Sequence, residues 1–104
     1  MKSEIERLQE EISRWSQSNW PYDKGEPLIG IVKAAKVAEE AGEVCGAAIK
    51  MGRPGQGLRQ LQEEIADVFI TLVGIAEVYD LNLSEVIWDR WSNDVRHRGP
   101  KGGL

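Results

Sequence analysis

The stretch from Leu28 to Met51 confines its charge to one narrow stripe. At about 100° per residue on a helix, all of its charged side chains fall within an arc of about 120°, and the rest of the circumference is almost entirely apolar or small. These charged residues are Lys33, Lys36, Glu39, Glu40, Glu43 and Lys50. We expect such a helix to be surrounded by protein on most sides, with its stripe facing solvent or lining a polar cleft.

A second helix of the same character is predicted from Leu58 to about Tyr79. Its apolar residues recur at alternating spacings of four and three, and from Val68 to Ala76 the only polar side chain is Thr71. Three acids again share about 100° of arc: Glu63, Glu64 and Asp67. The two acidic helices are therefore predicted to be the central ones.

Two further helices complete the predicted fold. Residues 2–18 have an amphipathic pattern, and residues 19–27 form a loop because they contain two prolines and a glycine. Ser84 is the expected N-cap of a last helix that runs to about His97. The prediction is an all-α, four-helix bundle-like fold whose two central helices carry an acidic metal site. It forms a single domain over residues 1–98, with a flexible C-terminal tail at 99–104.

Composition limits the partners and the location. A chain of 104 residues is expected to form one domain, and its net charge of −4 without a basic stripe argues against a nucleic-acid duplex as partner. No run of about 18 apolar residues is available to span a membrane, so we expect a cytoplasmic protein with no membrane partner. The single cysteine, Cys45, allows no intrachain disulfide and is expected to pack among small apolar residues.

The acids occur in pairs that suit a divalent cation. Positions three apart lie about 60° apart around a helix, so the pairs Glu40 with Glu43 and Glu64 with Asp67 each present two carboxylates from neighbouring turns. Facing each other, they are expected to bind Mg²⁺, for which Mn²⁺ is a possible substitute. The only histidine, His97, lies outside both helices, which argues against a di-iron site.

The two acidic segments resemble those of the MazG-like, all-α nucleoside triphosphate pyrophosphohydrolases. The family signature is Glu-Glu-x-x-Glu followed by Glu-Glu-x-x-Asp, and here it reads Val37-Ala-Glu-Glu-Ala-Gly-Glu-Val44 and Leu61-Gln-Glu-Glu-Ile-Ala-Asp-Val68. The likeness in helix order covers roughly residues 4–98. It implies Mg²⁺-dependent hydrolysis of a nucleoside triphosphate between the α and β phosphates, and assembly as a homodimer or homotetramer in which neighbouring chains help to complete the site.

By this resemblance the four paired acids are metal ligands, and Glu39 or Glu63 accepts the proton of the attacking water. Substrate-binding roles are expected for a further group of residues: Lys33, Lys36, Trp20, Asn93, Arg96 and Arg98. Simpler roles compete with these. The lysines can pair with Glu40, the arginines can complement a helix C-terminus, and Trp15 is expected in the core. Trp88 and Trp91 are expected in the core or at an oligomer interface.

Two other classes of function remain open at this level. One is a non-catalytic helical module that senses metal or nucleotide, or that binds another protein. The other is a related enzyme with similar acidic helices, either a dUTPase-like hydrolase or a phosphoribosyl-ATP pyrophosphohydrolase. The motif leaves the base and the sugar of the substrate open.

Overall fold

The computed structural model describes residues 1–53 and 57–98, which form four α-helices and no strand. The elements are α1 (Glu4–Asn19), α2 (Ile29–Lys50), α3 (Leu58–Val78), α4 (Leu83–Asn93) and a 3₁₀ turn (Val95–His97). The predicted all-α class and the four helices are confirmed. The predicted tail at 99–104 lies outside the described residues. In the described part of the chain, no helix combines the length and the apolar character needed to span a bilayer.

Local hydrogen bonds define the ends of α1 and α3. At the start of α1, the Glu6 backbone N–H donates to Ser3 Oγ (3.1 Å) and the Ser3 N–H donates to Glu6 Oε1 (3.4 Å), which forms a capping box. At the end of α3, Asp80 takes a left-handed conformation with φ of 52°. This conformation lets the Leu81 N–H donate to the Ala76 carbonyl (2.9 Å), which closes the helix.

The predicted bounds of α4 were wrong at both ends. Asn82, not Ser84, is the N-cap, because its side chain accepts from the Glu85 N–H at 3.2 Å. The Ser84 hydroxyl instead accepts a hydrogen bond from Ser3 Oγ at 3.1 Å. The α-helix ends at Asn93 rather than near His97, since the backbone at Asp94 leaves the helical region (φ −137°, ψ −75°).

Helix α3 lies at the centre of the chain. Its residues Val73 and Ala76 form a buried cluster with Leu83 of α4, and partly buried apolar side chains pack around it. Gln9 links α1 to the start of α4. Its side-chain amide donates to the Leu81 carbonyl (2.8 Å) and accepts from the Leu83 N–H (2.9 Å). Helices α1, α3 and α4 therefore share one small core.

Helix α2 packs principally against α3, and most of its remaining surface is bare. The expectation that it is surrounded by protein is wrong for a single chain: Ile31 is 67% exposed, Ile49 is 69% exposed and Cys45 is exposed as well. The reason is that α1 and α4 pack against α3 and each other, so the outer face of α2 has no helix over it. The tryptophans are also all exposed, including Trp15 at 51%, which was expected in the core.

We predict that Val73→Ala lowers the free energy of unfolding by about 2 kcal/mol. The substitution removes two buried carbons, each worth about 0.8 kcal/mol, and leaves a void beside Ala76 and Leu83. Urea unfolding followed by circular dichroism measures the change. The control is Val86→Ala on the exposed surface of α4, which should cost less than about 0.5 kcal/mol. Equal losses for both variants would contradict the position of the core.

Candidate metal centre and adjoining pocket

The antiparallel packing of α2 and α3 brings the two acidic motifs together. Carboxylate oxygens within 4.8 Å of one another form two overlapping groups: Glu39, Glu40 and Glu43 in the first, and Glu40, Glu64 and Asp67 in the second. Glu40 belongs to both groups, and Glu43 lies within hydrogen-bonding reach of Glu64. All four residues predicted as metal ligands are thus in one cluster.

Two oxygens of this cluster are buried without a partner. Among the described residues, neither Glu40 Oε2 nor Glu64 Oε2 accepts a hydrogen bond. Buried polar atoms in folded proteins are nearly always hydrogen-bonded, and a bound cation would satisfy both of these carboxylate oxygens. The donor set consists of oxygen atoms only, which fits a hard ion such as Mg²⁺ or Mn²⁺ better than a metal that prefers nitrogen or sulfur.

The cluster is electrostatically unfavourable when all its members are ionised. Burial, followed by repulsion from the neighbouring carboxylates Glu43 and Asp67, raises the pKa of Glu40. A hydrogen bond with the Glu43 carboxyl, followed by burial, raises the pKa of Glu64. Both shifts mean that the ionised forms are penalised, and a bound cation removes that penalty.

The two remaining acids differ in their surroundings. Glu39 belongs to the cluster and also pairs with Lys36 Nζ at 3.2 Å, one turn back on α2. Glu63 pairs instead with Arg59 Nε at 3.2 Å and belongs to neither carboxylate group in the described part of the chain. The predicted ion pair between the lysines and Glu40 does not occur among the described residues, and Lys36 pairs with Glu39 instead.

A pocket of about 150 Å³ is lined by residues of α2 and α3 and, on its other side, by residues of α1. It lies next to the acids, because Lys36 is one turn from Glu40 and Thr71 is one turn from Asp67. Its walls are mostly apolar, and Lys33 and Lys36 line it from α2. On the α1 side stand Trp15 and Trp20, whose rings meet edge to face with centroids 4.6 Å apart. The structure thus places the predicted substrate residues Trp20, Lys33 and Lys36 in one pocket.

The far wall of this pocket includes Glu77, which the sequence analysis did not single out. Its side chain is 8% exposed and accepts hydrogen bonds from Tyr22 Oη (2.9 Å) and Gln17 Nε2 (3.3 Å). Burial and the adjacent carboxylate raise the pKa of Tyr22, so the phenol keeps its proton and donates. The Lys33 ammonium lies over the Tyr22 ring, 4.5 Å from its centroid. A signal was present in the sequence, since Glu77 directly follows the long apolar run of α3.

The predicted substrate residues near the C-terminus have other partners in this structure. Asn93 Nδ2 donates to Asp89 (2.6 Å), and Arg98 binds the Asp94 carboxylate through Nε (3.0 Å) and Nη2 (2.9 Å). Arg96 is exposed on the 3₁₀ turn. No contact described for these residues joins them to the acidic cluster, so their roles in binding substrate stay predictions.

The sequence and the fold were compared with known families and proteins. The family model of the MazG nucleotide pyrophosphohydrolase domain matches residues 32–102. Comparison with curated proteins and with solved structures returned no match. The matched segment contains both acidic motifs and most of the chain. The chain therefore belongs to the MazG nucleotide pyrophosphohydrolase family.

Proposed function

We propose that this protein is a Mg²⁺-dependent nucleoside triphosphate pyrophosphohydrolase that cleaves between the α and β phosphates. The observation that supports this most directly is the pair of buried, unpartnered oxygens of Glu40 and Glu64 at the centre of the carboxylate cluster. A cation would neutralise this cluster, and a mostly apolar pocket with two lysines in its wall lies one helical turn away, where it could take a nucleoside.

The proposed ligands are Glu40, Glu43, Glu64 and Asp67. When bound there, Mg²⁺ supplies neutralisation of phosphate charge and activation of a water molecule. Glu39 is the proposed acceptor of the proton that this water loses, because it belongs to the carboxylate cluster, whereas Glu63 belongs to neither carboxylate group in the described part of the chain. Glu39 is exposed, so it can pass the proton on to solvent.

The pocket supplies the rest of the proposed substrate site. Lys33 and Lys36 line the pocket on the same helix as Glu40, and their charges would favour the triphosphate. Trp20 offers an aromatic face or edge for a base. The axial distance from Asp67 to Thr71 is about 6 Å at 1.5 Å per residue, so the metal cluster and the pocket are close enough for one nucleotide to reach both.

A panel of canonical and modified ribo- and deoxyribonucleoside triphosphates tests the proposal. We expect pyrophosphate and the matching monophosphate with Mg²⁺ or Mn²⁺, and no product above background with chelator. Chromatography of the products also separates the related enzymes, because activity confined to dUTP or to phosphoribosyl-ATP would assign the chain to one of those groups. If Mg²⁺ raises the melting temperature and every nucleotide is inert, the chain is a sensor. If Mg²⁺ has no effect either, it is an interaction module.

We also propose that the chain assembles as a homodimer or homotetramer through the outer face of α2. Gly42 and Gly46 each cost about 1 kcal/mol relative to Ala in a helix interior, yet a Cβ added at either would meet no atom within 4 Å in the single chain. Close approach of another helix would account for them. The exposed Ile31 and Ile49 on the same helix give that contact an apolar area, and a second copy of this chain is the occupant we propose.

A further inference from the structure

We propose that Glu77 reads the nucleobase and selects bases that carry an amino group at the position where uracil, thymine and hypoxanthine carry a keto oxygen. The preferred class is then cytosine and adenine nucleotides. This inference rests on the proposed function, because it takes the pocket beside the carboxylate cluster as the site of the nucleoside.

Glu77 is buried without a cationic partner among the described residues. Glu77 is more than nine-tenths buried, and the two side chains that donate hydrogen bonds to its carboxylate, Tyr22 and Gln17, are both neutral. No ion pair to Glu77 occurs among residues 1–53 and 57–98. A buried carboxylate without a cationic partner is costly for a fold, so a requirement other than stability accounts best for it.

The two carboxylate oxygens of Glu77 differ in their hydrogen bonds. Both hydrogen bonds end on Oε1, and within the described chain Oε2 accepts none. A carboxylate can accept about four hydrogen bonds, so Glu77 has unused acceptor capacity on a wall of the pocket. Tyr22 and Gln17 hold the carboxylate in one orientation, which is what a group that discriminates between ligands needs.

Glu77 lies on the same helix as two of the proposed metal ligands, Glu64 and Asp67. It lies ten residues beyond Asp67 on α3, about 15 Å along the axis. An extended nucleotide, measured from its α-phosphate to the far edge of its base, covers most of that span, and the side chains at its two ends cover the rest. With the phosphates at the cluster and the base between Trp20 and the wall of α3, the edge of the base that carries the amino or keto group comes to Glu77.

The selectivity then follows from donors and acceptors. Carboxylates accept from the amino group of cytosine, and adenine presents an amino donor in the same way. A keto oxygen at that position would face the carboxylate oxygen, and two acceptors without a hydrogen between them repel each other in a mostly apolar pocket. Glutamine at position 77 would accept from an amino group or donate to a keto group, so it should remove the preference.

Matched substrate pairs test this without any variant. We expect kcat/KM to favour dCTP over dUTP, and dATP over dITP, by about tenfold or more, which is the scale of a good base-edge contact. In Glu77→Gln each ratio should fall to within about twofold of one. Glu85→Gln, which removes an exposed acid on α4, should leave both ratios unchanged. Wild-type ratios near one would overturn the proposal.

A binding measurement separates this inference from the proposed hydrolysis. With chelator present, titration with CMP should quench tryptophan fluorescence at a lower concentration than UMP, and Trp20→Phe should reduce the quench while Trp88→Phe, outside the pocket, should not. If no nucleotide is hydrolysed and CMP still binds more tightly in a Glu77-dependent way, base reading stands and the proposed activity fails. If hydrolysis is Mg²⁺-dependent while CMP and UMP bind equally, the reverse holds.

Discussion

Replacing Glu64 by glutamine is expected to lower Mg²⁺-dependent pyrophosphate release by more than about 100-fold. Loss of a group that only supports a metal ligand already costs about 10- to 100-fold, and Glu64 is proposed as a ligand itself. Its buried Oε2 has no hydrogen-bond partner in the described chain, so the amide would place either a neutral oxygen or an N–H donor where the cation binds. Steady-state kinetics at saturating and limiting Mg²⁺ measures the effect.

The same variant should be more stable than the wild type when metal is absent. The pKa of Glu64 is raised in the folded protein above its ordinary value of 4.5, so the folded state holds the proton more tightly than the unfolded state does. The wild type with chelator therefore loses stability as the pH rises from 4.5 through the raised pKa, and Mg²⁺ restores that stability at neutral pH. Glu64→Gln lacks the part of this loss that Glu64 causes, whereas the part that Glu40 causes remains. Melting temperatures at pH 4.5 and 7.5 measure it.

Measuring both the rate and the melting temperature distinguishes loss of the metal ligand from loss of the fold. A variant that is inactive because it is unfolded would show a lower melting temperature with chelator, whereas we expect a higher one. Glu85→Gln removes one negative charge from an exposed site on α4 and should change neither the rate nor the pH dependence. Full activity in Glu64→Gln would remove Glu64 from the metal site.

A second large effect is expected at the outer face of α2. Gly42→Glu should dissociate the proposed oligomer and weaken association by at least about 100-fold, because an unpaired charge buried in an apolar contact costs several kcal/mol and each 1.4 kcal/mol is a factor of ten. Light scattering coupled to size-exclusion chromatography over a range of concentrations measures the change in mass. Activity should fall with it if neighbouring chains complete the site.

Two matched variants isolate the cause. Ser18→Glu adds the same charge on the exposed surface of α1 and should leave the mass unchanged. Gly42→Ala adds only a methyl group, which meets open space in the single chain and should stabilise a monomer by up to about 1 kcal/mol. If the protein is monomeric and Gly42→Ala only stabilises it, the outer face of α2 is not an interface.

The acidic cluster could be predicted from the sequence because helical geometry determines it locally. Once Glu40 and Glu64 lie on two long helices that are separated by only a few residues of sequence, antiparallel packing brings their acidic stripes together. The surroundings of α2 could not be predicted in the same way. Periodicity shows that a helix face is apolar, but it does not show whether the same chain or another one covers that face.

The pocket was harder to predict because it depends on contacts between distant residues. Tyr22 and Glu77 are far apart in sequence, and neither belongs to a repeating pattern that would signal their hydrogen bond. The cap of α4 was mispredicted for a different reason. Asn82 and Ser84 have similar capping chemistry two residues apart, and the contact of Ser84 with Ser3 of α1 distinguishes them only in the folded chain.

The division of the site between helices has a consequence for how its parts respond to disturbance. All four proposed metal ligands lie on α2 and α3, and α1 contributes none of them. The pocket also needs α1, which supplies Trp15, and the following segment, which supplies Trp20 and Tyr22. Detachment of α1 would therefore leave the ion-binding half assembled and remove the half that distinguishes one nucleotide from another. Fidelity should be lost before metal affinity as the fold is weakened.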